Sequence, residues 1–209
     1  GLHNKYSVNG WNIKNDLLGR VSFHDVDRSV DWSSGTTSDL NSNYNVYGVS
    51  SLNELGKDLE INRNVKVTPY VGLELGYMMH PSFEEKGGVE SLKVDSNDAY
   101  SVKPNIGVRL EGEKEFGATS SWKVKGNIGV GYEYELGNMN NQEKASLTSI
   151  EDGYHELAKA AEDKGRIKTS GYAGVELKET YGIYITGEYG IGQDKQEDYK
   201  LGLSLKAMF

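Results

Sequence analysis

Four histidines, His3, His24, His80 and His155, are the chain's candidates for metal ligation or general-base work, and no two stand at His-x-x-x-His spacing. With no cysteine, a zinc site has no sulfur ligands, and thiolate nucleophiles and disulfides are excluded. The run His24-Asp25-Val26-Asp27-Arg28 gathers titratable groups at a strand end and reads as a solvated approach to a loop. Glu84-Glu85 and the pair Glu133 and Glu135 have the residue types of acid/base catalysis. Their plainer roles are to solvate a loop and to line a polar lumen, respectively. Gly126-Asn-Ile-Gly-Val-Gly131 is glycine-rich, but no Gly-Lys-Ser/Thr follows, and it lies inside an alternating segment. Those glycines relieve crowding or permit curvature and do not cradle a phosphate. No set of carboxylates and histidine assembles a protease site at one rim. The expectation is no catalytic residue, no cofactor, no metal and no enzyme.

The elements that position these residues have period two. In the last segment Tyr199, Leu201, Leu203, Leu205, Ala207 and Phe209 share one face, opposite Lys200, Ser204 and Lys206. The same reading holds for Tyr181–Ile191, Ile167–Leu177, Trp122–Leu136, Tyr100–Leu110 and Val65–Met79. Two earlier candidates, around Leu17–Arg28 and Tyr44–Leu55, alternate less cleanly, and a partial strand is expected near Tyr6–Ile13. About eight strands are therefore visible in an all-β, antiparallel, up-and-down arrangement.

Composition bounds the environment. The 209 residues suit one domain, and 23 Lys+Arg against 31 Asp+Glu give a net charge of −8, with no electrostatic reason to bind nucleic acid. No stretch approaches the roughly 20 apolar residues of a spanning helix, and the start lacks a signal peptide's basic and apolar regions. The mean hydropathy of −0.61 is polar. Strands that alternate lipid-facing and lumen-facing residues produce that average as readily as a soluble protein does.

Alternating strands also build soluble sandwiches and lipocalin-like barrels, whose apolar face points inward. Two features favour lipid. The polar face is rich in opposite charges, which suits a hydrated lumen. Aromatic residues fall near strand ends: Tyr77, Tyr100, Trp122, Tyr132, Tyr134, Tyr181, Tyr189, Tyr199 and Phe209. The connections alternate long and short: 33–43, 56–64, 80–99, 115–121, 137–166 and 178–180, then 192–198. Transmembrane barrels have short periplasmic turns and long external loops, which puts the C-terminus in the periplasm. Within 137–166, Ser149-Ile-Glu-Asp152 resembles a capping box. Tyr154, Leu157, Ala158 and Ala161 follow at helical spacing, so a short helix is expected there as a surface decoration or a lid.

Two segments carry a family resemblance. Val67-Thr-Pro-Tyr-Val-Gly-Leu-Glu-Leu-Gly-Tyr77 resembles the Thr-Pro-Tyr strand of autotransporter β-domains. Tyr199-Lys-Leu-Gly-Leu-Ser-Leu-Lys-Ala-Met-Phe209 resembles the assembly signal of outer-membrane barrels, with Tyr199, Leu201, Leu203, Leu205 and Phe209 as its residues. The resemblance implies a bacterial outer-membrane translocator of about twelve strands with a helix through its lumen. Its partners would be outer-membrane lipid, the barrel assembly machinery and an N-terminal passenger of the same polypeptide. On this reading residues 1–209 form one barrel domain lacking its first strands, and Lys103, Arg109, Glu111, Lys125, Glu176 and Glu188 face the lumen. An open sheet leaves costly unpaired backbone groups in lipid. Upstream strands, another protein's edge, or closure of the eight strands alone would each remove that cost. A stand-alone barrel acting as adhesin or structural anchor is the alternative function.

Overall fold

Alternation becomes strand along nearly its whole length in the computed structural model, which describes residues 1–117, 121–138, 143–149, 155–156, 164–178 and 180–207. In chain order the strands are β1 (Leu2–Val8), β2 (Trp11–Asp31), β3 (Thr37–Lys57), β4 (Leu59–Asn62), β5 (Val65–His80), β6 (Phe83–Glu84) and β7 (Leu92–Val94). They continue as β8 (Asn97–Phe116), β9 (Trp122–Tyr134), β10 (Lys144–Leu147), β11 (His155–Glu156), β12 (Gly165–Leu177), β13 (Tyr181–Gly192) and β14 (Glu197–Ala207). The main sheet runs β1-β2-β3-β5-β8-β9-β12-β13-β14, antiparallel throughout, and β4 prolongs the line of β3 against β5. Each strand thus pairs with the next spanning strand, the order that hairpin connections permit most simply. The sheet curls into a half-barrel, so that β8 reaches β3 across β5 and β14 reaches β12 across β13. Among the described residues β1 pairs only with β2, and β14 only with β13.

Register separates the two faces cleanly. The row Glu54, Gly72, Asn105, Glu133, Arg166 runs through the inner face of five strands, and Leu55, Val71, Ile106, Tyr132, Ile167 runs beside it through the outer face. Outer residues stay exposed, as at Ile106 and Ile185, whereas inner carboxylates such as Glu176 are buried. The main sheet is therefore apolar outside and polar inside, the reverse of a soluble core.

Two expectations are corrected here. The partial strand near Tyr6–Ile13 is in fact the end of β1, a two-residue turn and the start of β2. Asn9 and Gly10 have φ of 49° and 76°, the positive pair that a type I′ turn requires. The expected long connection 33–43 is largely strand, with a turn over 32–36 closed by Trp32 and Gly35. β2 and β3 have 21 residues each, about twice what crossing a bilayer needs. Their hairpin consequently projects beyond the rest of the sheet at the long-loop end.

What supports that projection is a second sheet, ordered β11-β10-β7-β6 and built from the two long connections that follow β5 and β9. Asn41 and Lys86 form an antiparallel bridge, and Gly87, at φ of 131°, lies so close to Asp39 that a Cβ would stand 2.0 Å from its carbonyl oxygen. Only glycine fits that approach. Leu40, Val94 and Ala145, with exposures of 1%, 6% and 5%, supply a small apolar core. The helix expected after Ser149 falls mostly outside the described residues. His155 and Glu156, where helix was expected, form a strand, because their backbone groups pair with Ala145 and Lys144.

Candidate functional site

The inner face of the half-barrel is a lattice of oppositely charged side chains that strand register brings opposite or diagonal to one another. Glu54 on β3 receives Lys14 of β2 at 2.7 Å and Arg109 of β8 at 3.0 Å. Arg109 also stands 4.9 Å from the Tyr70 ring centroid, a cation–π distance. The Tyr70 phenol in turn lies across Gly107 and Gly131, where added Cβ atoms would come within 2.5 and 2.8 Å of its oxygen. Glycine on β8 and β9 is what lets this aromatic ring lie flat against the wall.

Nearer the short-turn rim, Lys66 bridges Glu111 at 2.8 Å and Asp58 at 3.0 Å. Asp58 stands between β3 and β4, where burial opposes its charge but hydrogen bonds from Thr68, Asn12 and Lys66 prevail. Its carboxyl is held down to about 2. A second knot centres on Glu176 of β12, whose side chain is only 3% exposed. It meets Lys125 at 2.9 Å and Lys206 at 3.1 Å, and accepts a hydrogen bond from Tyr184. Lys168 pairs with Glu133 at 2.8 Å, Lys200 with Glu188 at 3.4 Å and Lys103 with Glu135 at 3.6 Å.

All six residues expected on the polar face, Lys103, Arg109, Glu111, Lys125, Glu176 and Glu188, lie on the inner face, each with an ionic partner. Lys125 and Glu176 pair directly. The others are distributed around the wall. Alternation already sets Lys66, Tyr70, Tyr184 and Lys206 on the polar face, though not as members of these knots, and sequence reasoning missed Glu54 and Lys14. Parity within each strand marks all of them as inner, and cross-strand pairing is what joins them. A cavity of about 200 Å³ between these side chains takes its walls from strands β3 through β13, including Glu54, Glu74, Glu133, Lys168 and Glu188. Such a surface holds water and can match a polar or charged segment lying along it.

Two other sequence readings change, and Glu135 gains backbone partners besides Lys103. Glu85 does not merely solvate a loop. Arg28 donates to both its carboxylate oxygens, at 3.1 and 2.5 Å, and Leu92 N–H donates to one of them. Its pKa is lowered chiefly by the Arg28 hydrogen bond. The His24–Arg28 run is likewise no simple loop approach, since His24 stacks on Tyr44, which stacks on Phe83, with His80 edge-on to both Tyr44 and Phe83. Glu135 is buried and receives Ser101 Oγ–H and the N–H groups of Val102 and Gly137, fixing the exit of β9.

On the outer face, aromatic residues gather toward both ends: Tyr77 opposite Tyr100 and Tyr189 opposite Tyr199 at one, Trp11, Phe116, Trp122 and Tyr181 at the other. Tyr199, Leu201, Leu203 and Leu205 all point outward on the edge strand β14, with exposures of 79%, 83%, 70% and 72%. Phe209 lies outside the described residues. The family model for the autotransporter beta-domain matches residues 1–189. The chain belongs to that family. No curated protein matches it. An autotransporter β-domain is an outer-membrane translocator barrel and not a catalytic domain. The family places the chain in the outer membrane, a setting that suits an apolar outer face.

Proposed function

We propose that this autotransporter β-domain anchors in the outer membrane and lets an N-terminal passenger of the same polypeptide cross to the cell surface. The observation that carries the reading is the inverted sheet, apolar outside and lined within by paired charges, in a chain of this family. Lys103, Arg109, Glu111, Lys125, Glu176 and Glu188 keep the lumen hydrated and contact the segment that threads or plugs it. The C-terminus lies in the periplasm, and the long connections with their small sheet lie outside the cell. Strands upstream of β1 complete a barrel of about twelve, because the exposed edges of β1 and β14 would otherwise leave unpaired N–H and C=O groups in hydrocarbon.

Tyr199, Leu201, Leu203, Leu205 and Phe209 act as the signal read by the barrel assembly machinery. Phe209→Ala in the full-length polypeptide tests this, read as the fraction of folded, heat-modifiable protein in the outer membrane. A several-fold loss is expected, and normal assembly counts against the signal. The passenger reading is tested by protease treatment of intact cells, which should remove an N-terminal region and spare the barrel. A polypeptide of about this chain's own mass with no surface-exposed passenger supports the alternative, an adhesin or anchor. The ordered sheet on the long loops favours that second reading, since it gives the loops a fixed binding surface.

A further inference from the structure

Among the described residues the apolar outer face carries a polar island on β1–β3. Asn4, Asn15 and Asn53 stand in a single cross-strand row of β1, β2 and β3, and Ser51 occupies the next row. Tyr6, Ile13 and Leu55 form the apolar row on one side, and on the other Ser51 shares its row with Leu2 and Leu17. Two strands farther along the same row the residues are Leu73 and Pro104. Asn15 Nδ2 donates to Asn53 Oδ1 at 2.8 Å, and Asn53 Nδ2 donates to Ser51 Oγ at 3.1 Å. Each amide nitrogen carries a second hydrogen, and each carbonyl a second lone pair. Asn4, opposite Asn15, is exposed and makes no side-chain hydrogen bond among the described residues. Lipid chains offer no partner for these groups. Beside the island, Gly19 faces open space, with nothing within 4 Å of a Cβ built there. Small residues that admit close approach, next to amides that can bond across, are the composition of associating surfaces inside membranes.

We propose that this island is where a second copy of the barrel docks in the plane of the outer membrane. A carboxamide both donates and accepts, so the row is complementary to itself under the two-fold axis, along the membrane normal, that relates two copies of one topology. A fixed-charge patch would repel its own image; an amide row does not. The interface uses the outward faces of β1–β3, so strands added at the edge of β1 would leave it open.

These 209 residues hold no cysteine, so a single thiol placed here reports contact once any cysteine elsewhere in the polypeptide is replaced by serine. Ser51→Cys is placed in the full-length polypeptide and oxidised in native outer membranes, with Ile185→Cys on β13 as the control for random collision. The expected product is a disulfide-linked homodimer well above the control. Adding Asn15→Leu and Asn53→Leu should reduce it about tenfold, the weight of one or two intramembrane hydrogen bonds, while heat-modifiable migration shows the barrel still folded. Cross-linking no greater than the control overturns the proposal. So does capture of a different polypeptide by Ser51→Cys, or a dimer yield unchanged by the double leucine variant.

Discussion

The main sheet and the small sheet at its long-loop end are built from the same kind of strand yet follow opposite rules. Where the small sheet meets the β2–β3 extension the apolar residues are inside: Leu40, Val94 and Ala145 are shielded, and Arg28 of β2 clasps Glu85 beside it. In the main sheet Ile106, Ile185 and Leu203 face outward, and the shielded group is the carboxylate of Glu176. The difference lies in the solvent, because lipid satisfies an apolar side chain as well as a core does and leaves the interior to groups that need water or each other. One region is held by hydrophobic burial, the other by a continuous hydrogen-bonded ladder and paired charges.

Substitutions should therefore act differently in the two regions. Glu176→Leu strands Lys125, Lys206 and Tyr184 and should cost about 3–5 kcal/mol, read as a lower urea midpoint for the whole barrel in detergent. A midpoint within error of the parent would show that the inner knot contributes little, and would weaken the contrast. Leu40→Ala removes the most buried side chain of the β2–β3 extension and should cost about 2–4 kcal/mol there. It should open the long connections to hydrogen exchange and proteolysis while the main sheet keeps its midpoint. Simultaneous loss of both would mean that the two regions fold as one unit.

Acid sharpens the comparison at the short-turn rim. Asp58 is depressed to about 2 by Thr68, Asn12 and Lys66. Its contribution is complete above its unfolded value near 4 and is lost as pH falls through 2, a change of about 2 kcal/mol. Asp58→Asn should remove that pH dependence, measured as the difference in urea midpoint between pH 5 and pH 2. The smallest effect belongs to Glu85→Gln, which weakens the clasp on Arg28 and should cost about 1 kcal/mol. It should raise hydrogen exchange at Leu92, whose N–H donates to Glu85, and leave assembly unchanged.

Much of the architecture was legible because a strand's parity is local. Once Val65, Val67 and Val71 alternate with Lys66, Thr68 and Tyr70, the two faces of β5 are assigned whatever its neighbours do. The hairpin between β1 and β2 was equally legible, since Asn9-Gly10 is the favoured pair for a turn with two positive φ values. A partial strand over Tyr6–Ile13 would run straight through that turn. The projecting β2–β3 hairpin was not legible. Asp25, Asp27 and Asp31 alternate with His24, Val26 and Val30 too weakly to mark a buried face, and only the small sheet packed on that inner side stabilises the extension.

The partners of the inner charges depended on tertiary structure for a different reason. Sequence by itself determined that Arg109 and Glu176 face the interior, that the outer face is apolar, and that the chain has no thiol chemistry. Which carboxylate each cation meets was decided by register and curvature together. Register aligns neighbouring strands, but Arg109 reaches Glu54 across β5 and Lys206 reaches Glu176 across β13 only because the sheet curls. Parity is a property of one strand, whereas curvature belongs to the assembled sheet, where right-handed twist accumulates from strand to strand.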